Sequence, residues 1–177
     1  MVAEFIARGY DATSMEDIAR ATGMTKSAVY HHVAGKQALL ELALARAVDG
    51  LFAVLDEPGA TSGAPVARLE HVVRRATQVL VALLPYVTLL LRVRGNTDTE
   101  RAALDRRREF DRRLAGLVQD AIAAGEVRAD LDPRLVTRLL FGTVNSVSEW
   151  YRPGGAHDAD EVADAVVALS FDGLRRR

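Results

Sequence analysis

The sequence predicts an all-α fold of about nine helices, with a small N-terminal helix-turn-helix head and a larger C-terminal helical body. Three observations carry that expectation. Apolar residues recur at helical spacing through most of the 177-residue chain. Glycines, prolines and capping residues fall where such segments end. No stretch alternates apolar and polar residues between turn signals, as a strand would.

Ala12–Leu40 is the most informative stretch. Ser14 with Asp17, or Thr13 with Glu16 one residue earlier, starts a helix by the S/T-x-x-D/E capping pattern. Met15, Ile18, Ala19 and Thr22 follow on one face, and Gly23 ends the helix. Thr25 caps a second helix. Ala28, Val29 and Val33 face inward there, and Lys26, Ser27, Tyr30 and His31 face outward. Two helices joined by a short glycine turn form a helix-turn-helix, whose second helix enters the major groove. Thr25, Lys26 and Ser27 at its start suit base edges, and Tyr30 and His31 suit phosphates. Gly35 reads as the next cap, which puts the cation of Lys36 at a positive helix end. A phosphate there would reverse the cost. Thr13 and Ser14 at the start of the first short helix complete the expected DNA-contacting set.

The rest of the chain divides into helical segments. Lys36 to about Leu55 is long and shared between head and body, and Glu57–Pro65 reads as a loop. Val66–Leu84 is interrupted at Pro85, and Tyr86–Val93 is apolar all round, which predicts burial. Asp98–Ala124 ends at Gly125 and carries Phe110, Leu114, Leu117, Val118, Ala121 and Ile122 as its stripe. Asp132-Pro133 starts a helix to about Trp150, and Asp160–Leu174 is the last. The domain division expected is 1–46 for the reader and 47–177 for the body.

Composition narrows the function classes. The net charge is −1, so any attraction to nucleic acid comes from a local patch. Cysteine is absent, which removes disulfides and thiolate metal sites. No signal-peptide pattern or apolar run of membrane-spanning length occurs. The expectations are a cytoplasmic protein with no membrane partner. No nucleophile motif or phosphate-binding glycine loop is present. His31 and His32 point apart on a helix, while His71 and His157 lack ligand-spaced neighbours. The chain is therefore expected not to be an enzyme and to carry no cofactor and no metal.

Phe5 to Leu40 resembles the DNA-binding domain of TetR-family transcriptional regulators. Phe5, Gly9 and Tyr10 match the end of that family's first helix, and Thr13, Ile18 and Ala19 its second. Gly23, Thr25, Lys26, Val29, Tyr30 and His31 match the turn and recognition helix; Lys36 and Leu39 match the start of the fourth. Members usually have a longer first helix than the four residues before Phe5 allow here. The resemblance implies a repressor that binds a pseudo-palindromic double-stranded DNA operator as a homodimer, through the last two helices, and is released by a small-molecule effector. Leu135, Leu139, Leu140, Thr143, Val144 and Val147 on one helix, and Val162, Val166, Val167, Leu169 and Phe171 on the next, suit such a four-helix interface. Packing on the chain's own body is the competing use of those faces.

The effector is read from fewer residues. Tyr86 and Leu90 wall an apolar segment, Phe110 and Phe141 are core aromatics, and Asn145 is an amide in an apolar helix. Trp150 opens W-Y-R-P-G-G, a segment similar to one in TetR-type repressors of fatty-acid and steroid breakdown. That resemblance points to an apolar effector, an acyl-CoA first. The run Arg106, Arg107, Arg108, Arg112 and Arg113 either seats CoA phosphates or forms a solvated helix face. The alternatives are a TetR-type regulator of an efflux pump sensing a drug-like hydrophobic compound and, in a different class, a helical interaction module with a degenerate DNA reader.

Overall fold

The structure of the protein is a computed structural model that describes residues 1–174; residues 175–177, the end of the expected body, lie outside the described residues. Among the described residues there are ten helices and no strand. They are α1 (Val2–Arg8), α2 (Met15–Thr22), α3 (Lys26–His32), α4 (Lys36–Leu55), α5 (Pro58–Thr61), α6 (Pro65–Ala82), α7 (Leu84–Arg92), α8 (Asp98–Ala123), α9 (Pro133–Trp150) and α10 (Ala159–Leu174). The all-α expectation is what the structure shows.

Two details differ from the sequence reading, each for a local reason. The segment read as a loop contains α5. Pro58 sits at its first position with φ already set. The Thr61 and Ser62 hydroxyls donate back to the Pro58 carbonyl, and buried Ala60 anchors the turn. The break expected at Pro85 falls at Leu83. Proline tolerates the first turn of a new helix but clashes with the carbonyl four residues back, so the old helix stops before it. No single helix is long and apolar enough to cross a membrane, although α6 and α7 pass that test as a bent pair.

The chain forms two compact units. The first comprises Met1–Val48 and Pro85–Asp105; the second comprises Asp49–Leu84 and the described residues from Arg106 onward. In the first, Phe5 of α1, Ile18 of α2, Val29 of α3 and Leu40 of α4 are all buried. The start of α2 is settled as Ser14. Its hydroxyl accepts the Asp17 N–H at 3.1 Å, and the Asp17 carboxylate accepts the Ser14 N–H at 3.0 Å. The Ser14 hydroxyl also donates to that carboxylate at 2.6 Å, and Arg8 and Arg20 lie beside it. Leu89 and Leu90 of α7 are buried, but Tyr86, Val87, Thr88 and Leu91 are only half-covered, so α7 is less enclosed than its composition predicts.

In the second unit, α6 is the common packing partner of α5, α9 and α10. Its buried stripe is Leu69, Val72, Val73, Ala76, Thr77 and Leu80. The predicted stripe of α8 is buried from Phe110 to Ala121, with Ile122 half-covered. A polar cluster ties α5 to α6. Arg75 Nε donates to both oxygens of Glu57 at 3.1 and 2.9 Å, and His71 Nε2 lies 2.7 Å from the same carboxylate. The His71 ring passes so close to Gly59 that any β-carbon there would lie 2.4 Å from its Nδ1.

Two predictions arise from this packing. Leu114 has no exposed surface, so Leu114→Ala leaves a cavity and is expected to cost about 2–5 kcal/mol in chemical denaturation. The Ser14 hydroxyl, then the Ser14 N–H, hold the Asp17 carboxyl below its ordinary range against an opposing effect of burial, with smaller contributions from the charges of Arg8 and Arg20. A depressed folded-state value means stabilisation that is present above the unfolded value of about 3.9 and lost as pH falls through the folded one. Thermal melts from neutral to acid pH should therefore show a shallower acid loss for Asp17→Asn than for the wild type. Identical slopes would remove Asp17 from the acid response.

Candidate nucleic-acid interface

The reader is built from α2, a three-residue turn and α3. Gly23 adopts φ 68°, where a side chain would be strained. Its N–H bonds the Arg20 carbonyl at 3.3 Å, and the Met24 N–H bonds the Ala19 carbonyl at 3.0 Å, which closes α2 in a Schellman motif. Thr25 then caps α3, its hydroxyl accepting the Ala28 N–H at 3.2 Å. Capping and turn therefore occupy only Gly23, Met24 and Thr25.

Val29 is the buried residue of α3. Lys26, Ser27, Tyr30 and His31 are exposed, Tyr30 by 48%. These four share one face, since residues one turn apart align on a helix. The helix contains no acidic residue. Two acids of the same unit are engaged elsewhere: Glu4 pairs with Arg8, and Asp17 with Arg8 and Arg20. The result is a cationic and hydroxyl-bearing face on a unit with little net charge.

The remaining residues of the expected DNA-contacting set are placed differently. Ser14 is exposed, but its hydroxyl is committed to the cap of α2. Thr13 is 1% exposed and donates to the Gly9 carbonyl at 2.7 Å, so it fastens the turn after α1 rather than facing solvent. Lys36 is half-buried. Its Nζ donates to the carbonyls of Tyr10 at 2.8 Å and Asp11 at 3.3 Å and lies 4.3 Å from the Tyr10 ring centre. The ammonium thus satisfies two loop carbonyls, and the reading as a phosphate clamp meets a side chain already engaged.

Sequence reasoning missed the fastening of the first unit. Glu100 is buried, and its carboxylate accepts the N–H groups of Arg94 at 3.1 Å, Gly95 at 2.8 Å and Asn96 at 2.9 Å. Thr97 caps the same turn by accepting the Glu100 N–H at 3.1 Å, so the T-x-x-E signature was there to be read. Arg92 donates to the Ile6 carbonyl at 3.0 Å, and Gln37 to the Thr99 hydroxyl at 3.3 Å. These bonds make the α7–α8 connection part of the reader's own compact unit.

Of the six expected effector residues, two belong to the first compact unit and four to the second. Tyr86 and Leu90 belong to the first unit, where the Arg46 guanidinium lies 5.0 Å from the Tyr86 ring. Phe110 and Phe141 belong to the second and touch at 5.1 Å, with Phe52 5.8 Å beyond Phe110. Asn145 is half-buried on α9. Trp150 ends that helix 52% exposed, beside buried Tyr151.

Comparison with known proteins gives one consistent result. Residues 2–43 match the family described as bacterial regulatory proteins, tetR family, and residues 62–174 match the tetracyclin repressor-like C-terminal domain. The transcriptional repressor KstR2 of Rhodococcus jostii (strain RHA1) is 30% identical over 173 residues, covering 96% of this chain and 85% of that protein. A crystal structure of a TetR-family member from Streptomyces coelicolor A3 is 60% identical with a TM-score of 0.90, over 99% of this chain and 89% of that one. The regulator AibR, solved with isovaleryl coenzyme A and operator DNA, is 26% identical with a TM-score of 0.78, over 96% of this chain and 93% of its own. With both its N-terminal and C-terminal parts matched and a helix-turn-helix in place, the chain belongs to the TetR family of bacterial transcriptional regulators.

Proposed function

We propose that this protein is a cytoplasmic repressor that binds a pseudo-palindromic operator as a homodimer and lets go when a small apolar effector, an acyl-CoA, binds its body. The observation that carries the DNA half is the exposed, acid-free face of α3, with Thr25, Lys26 and Ser27 at its start and Tyr30 and His31 one turn on. Lys26 suits guanine O6 and N7, the hydroxyls suit several bases, and Tyr30 and His31 suit the backbone.

The dimer half rests on α9 and α10. Each buries one apolar face in its own unit and leaves a second outside. Leu135 is 49% exposed, Leu139 61% and Leu169 79%. Leu139, Leu140, Thr143 and Leu169 line an apolar groove of about 270 Å³ on this surface. Exposed leucines in one patch mark an interface. A twofold pairing through it places two α3 helices for two half-sites.

The effector half is supported by the W-Y-R-P-G-G segment and by AibR, whose solved complex holds isovaleryl coenzyme A together with operator DNA. The unit boundaries at residues 48/49 and 105/106 fall inside α4 and α8. Continuous helices therefore lead from the body into the reader, and a shift of their body ends changes where α3 points. Linkage requires operator DNA to weaken effector binding by the factor that effector weakens operator binding.

Gel shifts across the intergenic DNA beside the gene test the DNA reading. Lys26→Ala should lose about 1–3 kcal/mol of specific affinity and relax discrimination at one position of each half-site. Absence of binding by the wild type to every fragment would favour the degenerate-reader alternative, and unchanged binding by the variant would remove Lys26 from the reading. Leu139→Glu should give a folded monomer by sedimentation and abolish tight operator binding. A stable Leu139→Glu dimer would move the interface away from α9.

A further inference from the structure

A cleft between α8 and α9 in the second unit is not used by anything described above. Its volume is about 580 Å³, within the range of small-molecule sites. Arg108 and Arg112 of α8 face it one turn apart, and Arg134 and Arg138 of α9 do the same from the other wall. Phe110 and Phe141 hold the two helices together at a ring distance of 5.1 Å. Asp111 is the acidic residue lining the cleft, against four arginines. Glu109 pairs with Arg112 and Arg113. No ion pair to a carboxylate engages Arg134 among the described residues, and Arg138 feels the field of Asp111. Loss of water raises the Asp111 carboxyl against the pull of Arg107 and Arg138.

The floor is the second observation. Gly116 stands in the middle of α8, where glycine costs about 1 kcal/mol relative to alanine. A β-carbon built on it meets nothing within 4 Å. Neither packing nor backbone geometry requires glycine there, and its absent side chain keeps the cleft open.

We propose that this arginine-lined cleft binds a small polyanion bearing two or more phosphate groups, of nucleotide size. Guanidinium forks bond phosphate oxygens in pairs, and two facing pairs accommodate more than one phosphate. The open floor over Gly116 leaves room for the organic part. A free nucleotide and the nucleotide end of a coenzyme A thioester share this chemistry. The inference rests on the cleft and stands whether or not the acyl-CoA reading of the effector does.

The test is calorimetric titration of the purified protein with inorganic pyrophosphate, ADP, coenzyme A and an acyl-CoA. Wild type should bind with an affinity that falls as salt rises. Arg134→Ala/Arg138→Ala should weaken that binding at least about tenfold. Gly116→Leu should block it while raising the melting temperature, because leucine is the better helix former, which separates a filled cleft from a damaged fold. Equal binding of pyrophosphate, ADP and coenzyme A identifies a free nucleotide as occupant. Binding restricted to the coenzyme A compounds identifies the effector's phosphate end; either pattern supports the site. Absence of polyphosphate binding by wild type would overturn the proposal. So would binding unchanged in both variants, or a double variant that alters only the dimer dissociation constant, which would make the cleft part of the subunit interface. Operator gel shifts run alongside distinguish its failure from failure of the repressor reading, since neither variant touches α3.

Discussion

The burial of Val29 against the small core of the first unit is the constraint on which the DNA reader depends. α3 has seven residues, too few for a helix to persist by its own hydrogen bonds. It exists because Thr25 caps one end, Gly23 turns the chain without strain, and Val29 inserts where Phe5, Ile18 and Leu40 are also buried. Everything polar on the opposite face is oriented by that one apolar anchor. The bonds of Lys36, Thr13, Arg92 and Glu100 serve the same end from outside. They fasten the turns around the helices.

This arrangement explains how a chain of net charge −1 presents a surface suited to DNA. The acids of the head are not spread evenly. Asp17 is consumed by the cap of α2 and by Arg8 and Arg20, and Glu4 by Arg8. α3 carries none, so Lys26 acts there without a neutralising partner on its own helix. Affinity for phosphate is local, while the absence of a global basic field limits nonspecific attraction.

The body divides its surface in a comparable way. α9 and α10 bury Val144, Val147, Val162, Val166 and Phe171 inward, and expose Leu135, Leu139 and Leu169 outward. Arg134 and Arg138 sit one position before Leu135 and Leu139 along α9. One helix therefore offers three faces: a core face, an apolar outer face and a cationic one. The α7–α8 connection contributes to the first compact unit rather than the second.

Local signals in the sequence sufficed for most of the architecture. The Ser14, Gly23, Thr25 and Asp132-Pro133 signals act over three or four residues, so the starts of α2, α3 and α9 were legible, as was the heptad-like burial of α8 from Phe110 to Ala121. The exposed face of α3 was legible for the same reason, since helical periodicity alone puts Lys26, Ser27, Tyr30 and His31 opposite Val29. What the sequence could not decide was which long-range partner each polar group would find. Lys36 bonds carbonyls 25 and 26 residues away, Arg92 one 86 residues away, and Thr13 turned inward rather than out. The meeting of two arginine pairs across α8 and α9 is of the same kind. Such pairings depend on how helices far apart in sequence pack. That packing follows from shape and burial summed over the whole chain, not from any local pattern.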